Sequence, residues 1–169
     1  ARQQLLRARS ARPAPGLDTK ILTEWNALMI VALCEASRAF DEPEWLGVAE
    51  RCADFLCENL RDASGDWVRS WEASGSPQAR HRAVASDHAA LILAFVRLAE
   101  NTGRRKWIER ALDIADRFIE RFWDVEHGGF FNSSTSGEEL ITRQKDLLDN
   151  ATPGANSTAA LALLKLGAL

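Results

Sequence analysis

A chain of 169 residues, 46% hydrophobic and 27% charged, is about one domain long and carries enough apolar material for a core. Its net charge of −3 and pI near 5.7 leave no basic footprint, which argues against nucleic acid and anionic membrane surfaces as partners. Cys34, Cys52 and Cys57 lie in apolar helical patterns without a CxxC pair, as expected of reduced thiols in a cytoplasmic protein.

No charged start leads into an apolar leader, and the longest apolar run, "ALMIVALC", is too short to cross a bilayer. The chain begins with Ala and its last helical pattern stops at Leu169, which reads as a piece of a longer protein. From Trp25 to Ala36 nearly every residue is apolar, the pattern of a helix enclosed on most sides. The next helical segment is amphipathic: Trp45, Leu46, Val48, Ala49, Cys52, Ala53, Leu56 and Leu60 form one stripe, opposite Glu44, Glu50, Arg51, Asp54 and Glu58.

The couple then recurs. "HAALILAFVRLAE" is apolar throughout, and "RRKWIERALDIADRFIERFW" is amphipathic again. Ala27 and Ala89, Ile30 and Ile92, Ala32 and Ala94, Trp45 and Trp107, Ala49 and Ala111, and Asp54 and Asp116 are identical pairs at one offset of 62 residues (89 − 27). Such a register marks an internal repeat of helical hairpins. A third apolar helix, "STAALALLKLGAL", opens another unit. The chain therefore reads as a single domain, 1–169, with units at about 18–83, 84–152 and an incomplete 153–169. It is all-α, a partial arc of about five helices with short β-hairpins in its long loops.

Loop lengths say where function sits. Links within hairpins are short ("FDEPE", "NTGRR"), whereas links between hairpins, about 61–83 and 124–152, are long and share the pole where the apolar helices begin. "DWVRSW" and "GGFFNSS" in these loops predict small strands. The helices beginning near Trp25, Asp87 and Asn156 are expected inside, those near Glu44 and Arg105 outside, and the cut edges of the arc are expected to expose apolar side chains for self-association. Helix starts bearing Trp25 and Asn26, Asp87 and His88, and Asn156 aim polar groups and unpaired N–H groups at this pole, which suits hydroxyl-rich or anionic ligands.

Four stretches in order, "LDTKILTEWNALMI", "SDHAALI", "EHGGFF" and "RQKDLLDNATPGANS", resemble successive motifs of the helical-toroid part of a family of thioredoxin-domain-containing proteins, which includes the spermatogenesis-associated thioredoxin-like protein of animals. The resemblance covers almost the whole chain. It implies an (α/α)6 toroid of the six-hairpin glycosidase-like kind, similar in architecture to N-acylglucosamine 2-epimerases, with a thioredoxin-like domain expected in the full-length protein. Lys20, Trp25, Asn26, Asp146, Asp149, Pro153 and Asn156 keep the family pattern. Ala27 stands where the family usually has Gly, His88 where it has Tyr, Gly154 where it has Ser, and Thr19 interrupts its Asp-Asp-Lys.

Candidate residues carry two readings each. Asp18 is a helix N-cap or a binding carboxylate, and Thr152 with Pro153 reads as a helix cap. Asn156 belongs to a structural network or touches ligand; Asp87 caps its helix or acts on substrate; His88 transfers protons or plugs the toroid. Asp146 and Asp149 are one helical turn apart if helical, an acid/base couple beside Arg143 and Lys145, although Lys145 alone reads as a solvated charge. Trp25, Trp67, Trp71 and Phe130 suit sugar stacking or hydrophobic closure. His81, His88 and His127 lack ligand spacing, so neither a metal nor another cofactor is expected.

The resulting expectation is a carbohydrate-active enzyme, glycosidase-like or sugar epimerase/isomerase-like, with Asp87, His88, Asp146 and Asp149 transferring protons and Asp18, Lys20, Trp25, Asn26, Arg143 and Asn156 holding a carbohydrate ligand. The alternative is a non-catalytic ligand-binding or regulatory module working with a thioredoxin-like neighbour.

Overall fold

The computed structural model describes residues 1–72, 78–137 and 140–169. Six helices, α1 (Arg2–Ser10), α2 (Thr23–Phe40), α3 (Pro43–Asn59), α4 (Ala85–Thr102), α5 (Arg105–Phe122) and α6 (Ala155–Gly167), are joined by three strands, β1 (Lys20–Leu22), β2 (Val68–Glu72) and β3 (Gln78–Arg82). The α2–α3 and α4–α5 hairpins are the two repeats. The first helix of each ends in a left-handed residue, the two separated by the 62-residue offset: Asp41 (φ 54°) after α2 and Gly103 (φ 64°) after α4. Glycine adopts that conformation without penalty and aspartate is among the residues that tolerate it.

The layers follow from hydrophobic pattern. In α4 every residue from Ala89 to Ala99 except Arg97 is buried, because α2 flanks it on one side, α6 on the other and α5 covers it from outside. Phe95 lies between Trp67 and Trp107, with centroids 6.2 and 5.5 Å away. α3 and α5 bury one stripe each, Ala49, Ala53 and Leu56, and Trp107, Ala111, Ile114 and Phe118. α2 and α6 are inner helices at the two edges of the arc, so each leaves an apolar stripe open: Trp25, Met29 and Ala32 on one, Leu161, Leu164 and Ala168 on the other. These edges match the expectation of exposed apolar side chains.

The structure adds two elements to those the sequence predicts and corrects a third. α1 was not legible in the pattern and buries no residue. "KIL" forms β1 and pairs antiparallel with β2 (Lys20↔Glu72, Leu22↔Ser70), so the hairpin β2–β3 is extended to a three-stranded sheet. "GGFFNSS" supplies only an isolated bridge between Trp123 and Phe130, since the positive φ angles of Gly128 and Gly129 turn the chain there.

Candidate functional site

Asp87 is the centre of the loop pole. It sits in the first turn of α4 with no solvent exposure. One carboxylate oxygen accepts the Glu24 N–H (3.1 Å), which opens α2; the other accepts the Val84 N–H (2.9 Å), which opens α4. Neither helix start has a side-chain cap from its own N-cap residue, so a single buried carboxylate satisfies both. Arg69 of β2 places Nη1 3.1 Å from Asp87 and Nη2 3.7 Å from Glu24. Ser86 donates its hydroxyl to Glu24 (2.9 Å), and Glu24 is itself nearly buried.

Burial raises the Asp87 pKa to about 6, against the opposing pull of the Val84 N–H and the Arg69 guanidinium; the charge of Glu24 pushes it further up. Glu24 and Arg69 were missed by sequence reasoning. The signal that points to Glu24 is the repeat register, which sets Glu24 opposite Ser86, the residue that bonds it. For Arg69 the strand alternation of "DWVRSW" carried no such pointer.

His88 turns away from this cluster. Its ring stacks on Phe118 at 5.9 Å and lies 4.9 Å from Phe122, with Nδ1 3.0 Å from the Val84 carbonyl. Burial lowers its pKa, keeping the imidazole neutral. In this arrangement Nδ1 carries the proton, and the side chain closes the seam between α4 and α5.

Asp18 and Lys20 pair with each other (3.2 Å) at the surface, where Asp18 also accepts the Lys20 N–H. That contact holds the Asp18 carboxyl below its ordinary pKa. Asp18 is not the α2 N-cap, because the strand β1 intervenes and the helix opens at Leu22. Lys20, Ser70, Glu72 and Arg80 line a polar cleft of about 400 Å³ on one face of the sheet. Arg69, by strand alternation, reaches Asp87 from the other. The sheet therefore stands between the Asp18–Lys20 pair and the Asp87 cluster. Trp25 is exposed at the arc edge, and Asn26 donates to the Leu22 carbonyl while Cys52 of α3 approaches its Oδ1 at 3.8 Å.

The stretch 141–152 is not helical, so Asp146 and Asp149 do not form a couple one turn apart. Each instead serves the start of α6: Asp149 accepts the Gly154 N–H (2.7 Å) and Asp146 the Ala155 N–H (3.4 Å). Thr152 and Pro153 consequently lie outside the cap, whose position falls to Gly154. Asn156 is fully engaged: Oδ1 accepts the Phe130 N–H (2.7 Å), and Nδ2 donates to the Phe130 and Asp146 carbonyls (2.9 Å each). Arg143 donates to the Ser133 and Arg121 carbonyls and stacks on Phe131. Lys145 is no solvated charge; it is mostly buried against Asp124 (2.6 Å) and the Gly128 carbonyl. That bond holds the Asp124 carboxyl far below the usual range.

A chain of hydrogen bonds still joins the three inner-helix starts. Asp87 links α2 to α4, the Ala85 N–H donates to the Asn132 carbonyl, the Asn132 side chain accepts the Asp146 N–H, and Asp146 receives α6. Among the described residues no hydrogen bond or ion pair joins Asp87 or His88 to Asp146 or Asp149, and no group of three or more His, Cys, Asp or Glu is placed to hold a metal ion. Among the described residues no helix is long and apolar enough to cross a membrane.

Alternating inner and outer helices with their polar groups at one pole define a partial (α/α)6 toroid of the six-hairpin glycosidase-like class. Solved structures agree: a cellobiose 2-epimerase from Spirochaeta thermophila is similar over 90% of this chain and 38% of its own (TM-score 0.64, 21% identity). A glycoside hydrolase family 76 mannosidase from Bacteroides thetaiotaomicron is similar over 94% and 41% (TM-score 0.67, 17% identity), and an unsaturated glucuronyl hydrolase from Bacillus over 92% and 43% (TM-score 0.65, 18% identity).

Spermatogenesis-associated protein 20 and its relatives are homologues of this chain. It is 32% identical to human spermatogenesis-associated protein 20 over 97% of its length, and 32% identical to an uncharacterized Caenorhabditis elegans protein over 98%. It spans only 22–23% of the length of these relatives. No family model matches it.

Proposed function

We propose that this segment contributes to a carbohydrate-active site in which the cluster of Asp87, Arg69 and Glu24 handles protons at the loop pole. The observation that carries this reading is the buried Asp87 carboxyl, whose pKa of about 6 lets it give and take a proton near neutral pH. Arg69, partly exposed, bridges both carboxylates and offers a charged edge towards the pole. Glycosidic hydrolysis and epimerisation beside a carbonyl both call for such a group. The toroid class of the solved neighbours supports a carbohydrate as ligand. In the longer protein, a thioredoxin-like domain accompanies the toroid.

A second reading, a non-catalytic binding module, is favoured by one specific observation: Asp87 has three donors and no exposed surface, as a purely structural cap would. Incubating the full-length protein with cellobiose, mannobiose and an unsaturated glucuronyl disaccharide, with products resolved by anion-exchange chromatography, separates the two. The enzymatic reading requires turnover that Asp87→Asn and Glu24→Gln abolish in folded protein. Saturable binding without turnover, unaffected by Glu24→Gln, would sustain the binding module instead.

A further inference from the structure

The two carboxylates of the pole cluster are not equivalent. Both oxygens of Asp87 are taken, Oδ1 by the Glu24 N–H and Oδ2 by the Val84 N–H and Arg69 Nη1, and the residue has no solvent exposure. A ligand cannot touch it without breaking a helix start. Glu24 differs. Its Oε2 accepts the Ser86 hydroxyl (2.9 Å) and lies 3.7 Å from Arg69 Nη2, whereas Oε1 accepts no hydrogen bond among the described residues. The side-chain polar atoms sealed without a partner there are those of Arg61, Arg97 and Ser133, so the free Oε1 is open to solvent. Arg69 is open as well. Its guanidinium carries five N–H donors, of which only one on Nη1 gives a hydrogen bond among the described residues, and its side chain is 38% exposed.

Glu24 is also held from outside its own helix. Asp87 of α4 fixes its backbone N–H, Ser86 of α4 fixes Oε2, and Arg69 of β2 faces the same oxygen. All of these groups lie on the seam where α2 packs against α4, which the two helices complete between them. The result is a fixed acceptor beside unused donors, the arrangement a preorganised binding site requires.

We propose that Glu24, through Oε1, is the group of this cluster that touches the ligand, that Ser86 and Asp87 are positioning residues for it, and that the ligand is a neutral sugar with neighbouring hydroxyls. This rests on the reading of the pole as a carbohydrate site. An acceptor beside a donor matches two adjacent hydroxyls, one donating to Oε1 and the next accepting from Arg69 Nη2. Charge selects neutral over acidic sugars. The single guanidinium already faces two carboxylates, so a ligand carboxylate would meet at least as much negative as positive charge. The Ser86 hydroxyl keeps Glu24 off Arg69; without it, Oε2 closes on the guanidinium and occupies the donors that the sugar would use.

Saturation-transfer difference NMR on the full-length protein tests this, with methyl glucoside, mannoside and galactoside each titrated against its uronic acid counterpart. At least one neutral glycoside should bind, about tenfold or more tightly than its uronide. Glu24→Gln keeps the shape and an acceptor for Ser86, and should weaken that glycoside about tenfold through loss of a charge-assisted hydrogen bond. Ser86→Ala should weaken it about threefold, Ser86→Thr should restore it, and Ser86→Ala should cost nothing further in the Glu24→Gln background, because Ser86 acts through Glu24. Tighter binding of the uronides, which requires no variant to detect, overturns this assignment and leaves the carbohydrate reading standing. So does neutral-sugar binding that Glu24→Gln leaves unchanged. Failure of every glycoside and uronide to bind removes the carbohydrate reading itself, and this inference with it.

Discussion

Arg69 Nη1 lies 3.1 Å from Asp87 Oδ2, and the carboxylate it meets has no contact with solvent and holds the first N–H groups of two helices. Removing the guanidinium leaves a buried carboxylate uncompensated. Arg69→Met should therefore raise the Asp87 pKa above about 6 and destabilise the chain more at pH 8 than at pH 5. Urea unfolding of both proteins at the two pH values measures this; an equal loss at both would mean the pair contributes no charge term.

Asp87→Asn replaces one acceptor oxygen by an NH2 group facing an N–H. The expected cost is about 1–3 kcal/mol, the penalty for a buried donor left unpaired. The variant should also change a slope. Folded Asp87 keeps its proton up to about pH 6, whereas an unfolded carboxyl loses it near pH 4, so the folded chain binds more protons in that window and stability falls as pH rises through it. In Asp87→Asn that decline should be absent, so the difference between the wild-type and variant stability curves should fall through this window.

His88 acts in the opposite sense. Its folded pKa is lowered by burial, so its contribution is intact at high pH and is lost as pH falls below about 6.5, where the unfolded ring protonates first. His88→Phe keeps a ring against Phe118 and removes the titrating group. Its thermal midpoint relative to wild type should improve steadily from pH 7 to pH 5.

Trp107 and Trp45 are repeat equivalents, yet Trp107 is fully buried and Trp45 is 38% exposed. The preceding hairpin accounts for the burial of Trp107: Glu50 of α3 accepts from its indole (3.4 Å), and among the described residues no hairpin packs over Trp45 in the corresponding way. Trp107→Ala should cost about 3–5 kcal/mol and Trp45→Ala less than half of that by guanidinium unfolding.

Asn156→Leu strips partners from the Phe130 N–H, the Phe130 carbonyl and the Asp146 carbonyl at once. Destabilisation of roughly 3 kcal/mol is expected, together with faster hydrogen exchange at the Phe130 amide. Unchanged exchange there would show that the turn at Gly128 and Gly129 holds Phe130 without help from α6.

The architecture was written in the sequence, because burial is a periodic property. An all-round apolar run such as "HAALILAFV" has only one stable location, between other helices, and the 62-residue register repeats that instruction with Trp107 answering Trp45. The asymmetry of loop lengths likewise located the pole. The third inner helix and the open edges follow from the same pattern.

What the side chains at that pole bond to was decided only by tertiary structure. Asp87, His88, Asp146 and Asn156 are polar residues at helix starts, and sequence alone assigns them a common neighbourhood, not a common direction. Adjacent helix positions differ by about 100° around the axis, so Asp87 turns to Arg69 and α2 while His88 turns to Phe118 and α5. Glu24 and Arg69 were hidden for the same reason: their meeting with Asp87 crosses 63 and 18 residues of chain, a distance that no local period encodes.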